Sequence, residues 1–340
     1  MNAKNIRNTL AAAIPILLSG PLLPTSAVAD TVLFPVIAVN APNVTTVVSV
    51  TNGLGGSSDR LRYVYKYKNS LNQAGAPNLT GVCNSVDFDR NTRNGDIVSF
   101  DASGTLNNGN ALFGDPTSYD GGFGIGQSGP IRGYLLVSNC CTGGDAIVKD
   151  DGEVDLSGEA IIMDIASGAA WGMKAINDES QEGYGFLKVD AGGGVWSALS
   201  ALQSNGSDTR RFSFYPPMQW NTRFFITPIN SDMASTNADP GAHVALRTNT
   251  SPDGEGIYDR QGNQLPSTPI TQEINCTGAV NLEQLMDAAT WAAVEAGGGW
   301  SYFRVVSGNA IVYKLEYVVN SSTYGGTVNN GYLLSTYARP

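Results

Sequence analysis

The chain has 340 residues, with 30 acidic and 20 basic side chains, a formal net charge of −10 and one histidine. That length can bury a substantial core, as one large domain or as two lobes. The acidic balance argues against nucleic acid and against electrostatic attachment to anionic lipid, both of which require a basic surface. Charged residues make up 15% of the chain beside 40 glycines, a composition that suits exposed β-sheets joined by long polar loops.

The first residues read as an export signal. Lys4 and Arg7 precede a largely apolar run from Leu10 to Leu23, and Ala27-Val28-Ala29 is a small-x-small cleavage pattern. Cleavage there would start the mature chain at Asp30 and leave it more acidic still. The apolar run falls short of the roughly 20 residues a membrane span needs, and no later run approaches that length. The expected location is therefore secreted, either extracellular or at the cell surface, with the periplasm as the alternative.

Leu33 to Asn52 is rich in β-branched residues and broken at Asn40-Ala41-Pro42-Asn43. It reads as an opening hairpin. A weaker echo follows at Phe224–Ile229 and His243–Asn249. Leu61 to Tyr67 alternates cleanly, predicting a half-buried strand with Tyr63, Tyr65 and Tyr67 on one face and Arg62 and Lys66 on the other. A tyrosine ladder of this kind makes those three residues the candidate saccharide-binding face, although such stripes more often serve as core or sheet surface.

Asp87 to Asn91 resembles the start of a calcium loop, but Thr92 and Val98 stand where glycine and glutamate belong. A second acidic cluster, Asp145 to Glu159, does not fit that register either. No cofactor is expected, and irregular calcium binding by these loops is the one alternative kept. Residues 102–130 read as a long surface loop, followed by a buried-type strand at Gly133–Val137. Glu159–Asp164 and Ala170–Ile176 form a hairpin about Ala166-Ser167-Gly168.

Asn177 to Arg211 reads as a connector. It contains a glycine triplet at 192–194 and a short helical stretch carrying Val195, Leu199 and Leu202. Asn281 to Ala296 has the strongest helical pattern, with Asn281 as cap, Gln284 three residues on and Gly297-Gly298-Gly299 as the stop. Strands at 300–306, 309–319 and 331–337 complete the chain.

The four cysteines, Cys83, Cys140, Cys141 and Cys276, are disulfide candidates in an exported protein. The adjacent pair would be strained if bonded to itself. The simplest connection joins Cys83 to one of that pair and Cys276 to the other, stapling the two halves together. Metal-ligand spacings are absent. His243 is the sole histidine available as a general base, but it sits in an expected strand with no nucleophile elbow, so no catalytic residue is assigned.

The Leu33-Phe34-Pro35 opening, the Trp220 to Phe224 element, Tyr258-Asp259-Arg260 and Tyr324-Gly325-Gly326 together resemble a group of uncharacterised secreted β-rich proteobacterial surface proteins. The resemblance implies an exported β-rich surface protein and brings no catalytic residues. The expected fold is all-β, with two β-sandwich, Ig-like lobes, long loops and one or two short helices. Its divisions are a signal at 1–29, an N-terminal lobe at 30–178, a connector at 179–211 and a C-terminal lobe at 212–340 with one helix.

The leading expectation for function is a non-catalytic surface, structural or adhesion protein of a bacterial envelope. Its partners would be other surface proteins, further copies of itself or glycans. The alternatives are an extracellular carbohydrate-binding module, stacking sugars on the three tyrosines or on Trp171, Trp220 and Trp300, and a glycoside hydrolase without a recognisable motif.

Overall fold

The computed structural model describes residues 31–53, 60–93, 95–113, 121–127, 129–139, 156–165, 169–177, 202–203, 209–230, 233, 240–248, 254–318 and 329–333. Within them the chain is nearly all β, every strand pair is antiparallel, and one α-helix is present. The first sandwich uses β1 (Thr31–Val39), β2 (Val44–Asn52), β3 (Arg60–Asn69), β4 (Asn84–Asn91) and β5 (Ile97–Asp101). It continues through β6 (Ala111–Phe113), β7 (Ile131–Asn139), β8 (Leu156–Asp164), β9 (Ala169–Lys174) and β10 (Ile176–Asn177). Sheet one has the order β10-β1-β7-β3-β4 and sheet two the order β6-β5-β2-β8-β9.

The second sandwich uses β11 (Leu202–Gln203), β12 (Thr209–Phe214), β13 (Trp220–Ile229), β14 (Gly241–Leu246), β15 (Ile257–Asp259) and β16 (Gln264–Leu265). It is completed by β17 (Thr271–Asn275), β18 (Gly278–Asn281), β19 (Gly299–Ser307), β20 (Asn309–Val318) and β21 (Asn329–Leu333). Sheet three is β11-β20-β13-β18 with β21 also on β20. Sheet four is β16-β15-β19-β14-β17 with β12 also on β19.

The opening pair is not a hairpin. β1 bonds to β7 and β10 in sheet one, whereas β2 bonds to β5 and β8 in sheet two. Residues 40–43 form a corner that carries the chain across the core, with the Asn43 and Val44 amides donating to the Asn40 carbonyl. Phe34 and Ile37 of β1 thereby meet Val48 and Val50 of β2 face to face. Side-by-side pairing would have left one apolar face of the two strands uncovered.

The echo repeats this geometry. β13 lies in sheet three and β14 in sheet four. The pairings β1·β7, β1·β10, β2·β5 and β2·β8 recur in the same chain order as β13·β18, β13·β20, β14·β17 and β14·β19.

Each sandwich has its own core. A third apolar cluster joins Leu33, Val64, Tyr134 and Leu136 of sheet one to Ile229 and Ile311 of sheet three, so sheet one is covered on both faces. This corrects the expectation for β3. Tyr63, Tyr65 and Tyr67 line the first core, while Val64, Lys66 and Lys68 on the opposite face are buried too rather than solvated.

The Lys68 ammonium donates to the carbonyls of Leu79 (2.7 Å), Gly81 (3.3 Å) and Asn275 (2.6 Å), bridging the sandwiches. Beside it Cys83 is bonded to Cys276, with Cα atoms 5.4 Å apart. The disulfide does join the two halves, but directly rather than through Cys140 and Cys141, because the entry to β4 and the β17–β18 turn meet at this junction. Cys140 and Cys141 lie outside the described residues.

Three further expectations change. Residues 102–130 are not simply a surface loop, since they hold a 3₁₀ turn (Leu106–Gly109), β6, and the core residues Phe123 and Ile125. The buried Asp101 carboxylate organises this segment, accepting from the Thr45 and Ser103 hydroxyls and from the Ser103, Thr105 and Leu106 amides. In the connector, Leu202 belongs to β11 rather than to a helix, while residues 192–201 lie outside the described part.

The helix expected over 281–296 is divided into a 3₁₀ turn (Leu282–Leu285) and α1 (Ala288–Val294). The Gln284 amide oxygen accepts from the Asn281 backbone at 2.8 Å, as the capping pattern predicts. Asp287 then caps a new start, accepting from the amides of Thr290 (2.8 Å) and Thr268 (2.7 Å), with Met286 extended before it. An aspartate that satisfies free amides here competes with helix continuation. The β8–β9 hairpin forms as expected, with Asp164 opposite Ala169 and Glu159 opposite Lys174.

Candidate functional site

Where sheets one and three part, near the ends of β1, β8 and β9, they leave a cavity of about 570 Å³ between the sandwiches. Arg132 enters from β7, Asp164 and Trp171 from the β8–β9 hairpin, Arg223 and Phe225 from β13, and Tyr317 from β20. Period-two alternation aims them. Phe224 and Ile226 fill the second core, so Arg223 and Phe225 face the first sandwich. Along β7, Leu135 and Val137 fill the first core, and Arg132, Tyr134 and Leu136 take the opposite face.

The Arg223 Nε donates to the Asn281 side-chain oxygen at 2.8 Å, which fixes that guanidinium. The Arg132 guanidinium carbon lies 5.6 Å from the centroid of the Phe225 ring, within cation–π range. Burial, reinforced by the like charge of Arg223 and opposed by Tyr317, pulls the Arg132 pKa down to about 10. It stays protonated at neutral pH. Among the described residues neither arginine takes part in an ion pair, and Asp164 is the one carboxylate among the residues that line the cavity.

The tyrosine ladder is elsewhere. Tyr63 and Tyr65 are fully buried and Tyr67 nearly so. Their hydroxyls are engaged inside the protein: Tyr63 with Thr92 at 2.9 Å, Tyr65 donating to the Phe123 carbonyl at 2.9 Å, and Tyr67 accepting from Gln127 at 3.0 Å. They form core and are closed to a ligand arriving from solvent. Of the three tryptophans, Trp171 is half-buried at the cavity, and Trp220 is buried against Tyr215 at 4.7 Å. Trp300 stacks on Tyr258 at 3.7 Å with the Arg211 guanidinium 4.1 Å above its ring. Two such neighbours cannot share one face, so both faces of Trp300 are occupied.

Asp87 and Asp89 do not shape a calcium loop. They lie in β4, where Arg62 on the neighbouring strand pairs with Asp87 and approaches Asp89 at 3.8 Å. His243 gathers two hydrolase-type neighbours from distant sequence. The Ser307 hydroxyl is 2.7 Å from Nδ1, and the Glu273 carboxylate is 3.9 Å from Nε2. The carboxylate is beyond hydrogen-bond reach, and it and the imidazole are 50% and 44% exposed on open sheet. A general base needs a carboxylate that holds its tautomer and a cleft that excludes water, and this cluster has neither.

Arg132, Arg223, Phe225 and Tyr317 escaped sequence reasoning. The one available signal was an arginine placed in register with buried apolar residues of the same strand, as at Arg132 before Tyr134 and Leu136. No family model, curated protein or solved structure matches the chain. The resemblance to secreted surface proteins thus rests on its motifs. Leu33-Phe34-Pro35 falls in β1, Trp220 to Phe224 in β13 and Tyr258-Asp259 in β15, whereas residues 324–326 lie outside the described part. Among the described residues no helix is long and apolar enough to cross a membrane.

Proposed function

We propose that this chain is an exported, non-catalytic binding protein that holds a saccharide between its two sandwiches. The cavity carries the reading. Its size falls within the range of about 300–1,000 Å³ common for small-molecule sites, and its walls combine aromatic surface with a few convergent polar groups. Trp171 and Tyr317 offer ring surface of the kind that packs on a sugar's apolar face. The disulfide and the signal-like first 29 residues support export. Calorimetric titration of the chain from Asp30 onward against a saccharide panel tests the proposal. Saturable binding that weakens in Trp171→Ala is expected, and a panel without any binder overturns it.

A second reading, a structural component of a surface layer, draws on the outer face of sheet two. Phe113 (73% exposed), Ile97 (59%) and Ile161 (42%) lie there, and Glu159 and Lys174 face each other across β8 and β9. Such a face can meet a second copy without the repulsion that a net charge of −10 imposes elsewhere. Light scattering should then show concentration-dependent association that Ile161→Asp abolishes. A monomer at every concentration removes this reading.

A further inference from the structure

We infer that the inter-sandwich pocket selects acidic saccharides, seating a carboxylate or sulfate of the sugar on Arg132 and Arg223. The inference rests on the pocket being the ligand site and names the class of ligand it takes. Two guanidiniums are brought to one cavity from different sheets, Arg132 on β7 and Arg223 on β13, and neither is in an ion pair among the described residues. Holding two cations together under partial burial costs free energy. A bound anion removes that repulsion and satisfies their donors, whereas a neutral sugar leaves it in place.

The local bonding is consistent with that use. Asn281 occupies the Arg223 Nε and leaves its terminal nitrogens to serve a ligand. Phe225 backs the Arg132 plane without taking its hydrogen bonds. A planar fork matches a carboxylate or sulfate in a way that an ammonium does not.

The test is calorimetric titration with matched pairs: glucose against glucuronate and glucose 6-sulfate, and galactose against galacturonate. Each acidic member should bind at least about tenfold more tightly than its neutral partner, with a preference that shrinks as salt is raised. Arg132→Gln and Arg223→Gln should each weaken the acidic ligands by about tenfold to a hundredfold and the neutral ones by much less. Arg132→Lys should recover part of the loss, since it restores charge without the fork. The matched pairs on the unmodified chain decide the question even if a variant fails to fold. Equal binding of neutral and acidic partners overturns the inference and leaves the saccharide reading standing. Binding of no member overturns both.

Discussion

Lys314 and Glu316 form an ion pair inside the second sandwich, at 1% and 2% exposure and 2.8 Å apart. Lys314 lies opposite Phe224 and Glu316 opposite Thr222, on the face of β20 that fills the core. The other Glu316 oxygen accepts from the Thr222 hydroxyl (3.0 Å) and the Tyr215 amide (3.1 Å). Removing one member leaves an uncompensated charge in the core, and Lys314→Met should cost about 3–5 kcal/mol of unfolding free energy. Glu316→Gln should cost less than that, because its amide oxygen can still serve Thr222 and Tyr215, and the lysine that has lost its carboxylate can shed its proton. Lys314→Met combined with Glu316→Gln removes both charges and keeps that acceptor. It should be more stable than Lys314→Met alone, a non-additivity of about 1–3 kcal/mol.

Burial also holds the Lys314 pKa below its usual 10.5, with Glu316 opposing the shift. A lowered ammonium pKa means the unfolded chain binds more protons between the folded and unfolded values, so its contribution to stability rises with pH across that window. In Glu316→Gln the window should widen toward neutral pH. Urea denaturation followed by circular dichroism, across pH and for all four chains, measures these quantities. Additive costs, or a Lys314→Met loss under about 1 kcal/mol, would refute the reasoning.

The Cys83–Cys276 bond closes a separation of 193 residues, for which chain entropy gives about 5 kcal/mol as a ceiling. Replacing both with serine should lower the urea midpoint accordingly, and an unchanged midpoint would show that the cross-link does not restrain the unfolded chain. The backbone bonds to Thr290 and Thr268 hold the Asp287 pKa down to about 2, against 3.8 ordinarily. Its contribution is therefore present above the ordinary value and lost as pH falls through about 2. The acid-unfolding profile of Asp287→Asn should be flatter than that of the unmodified protein between pH 4 and pH 2. A Cβ at Gly133 would land against the Lys66 carbonyl and the Tyr67 side chain on β3. Gly133→Ala should cost about 1–3 kcal/mol by thermal melting, and no change in melting would show that β3 and β7 can part there.

Some of this protein was determined by local sequence. Alternation set which residues of β3, β7, β8 and β9 share a face, and the Ala166-Ser167-Gly168 break between two strand-like runs was enough to predict that β8 pairs with β9. Asn281 and Gln284 marked a helical start because a capping interaction spans only three residues. Local pattern could not say which sheet a strand joins. β1 and β2 look like a hairpin, yet they face each other across a core, since the benefit of burying both apolar faces depends on sheets formed from distant chain.

The same limit applied to burial and to the site. The Lys66 and Lys68 side is polar in sequence and becomes interior only because sheet three covers sheet one. The disulfide partner of Cys83 was decided by where two loops meet, 193 residues apart. Arg132 and Arg223 are unremarkable in their own strands. They become a site because the packing of two sandwiches brings two like charges to one cavity, and that proximity has no signature in either segment alone.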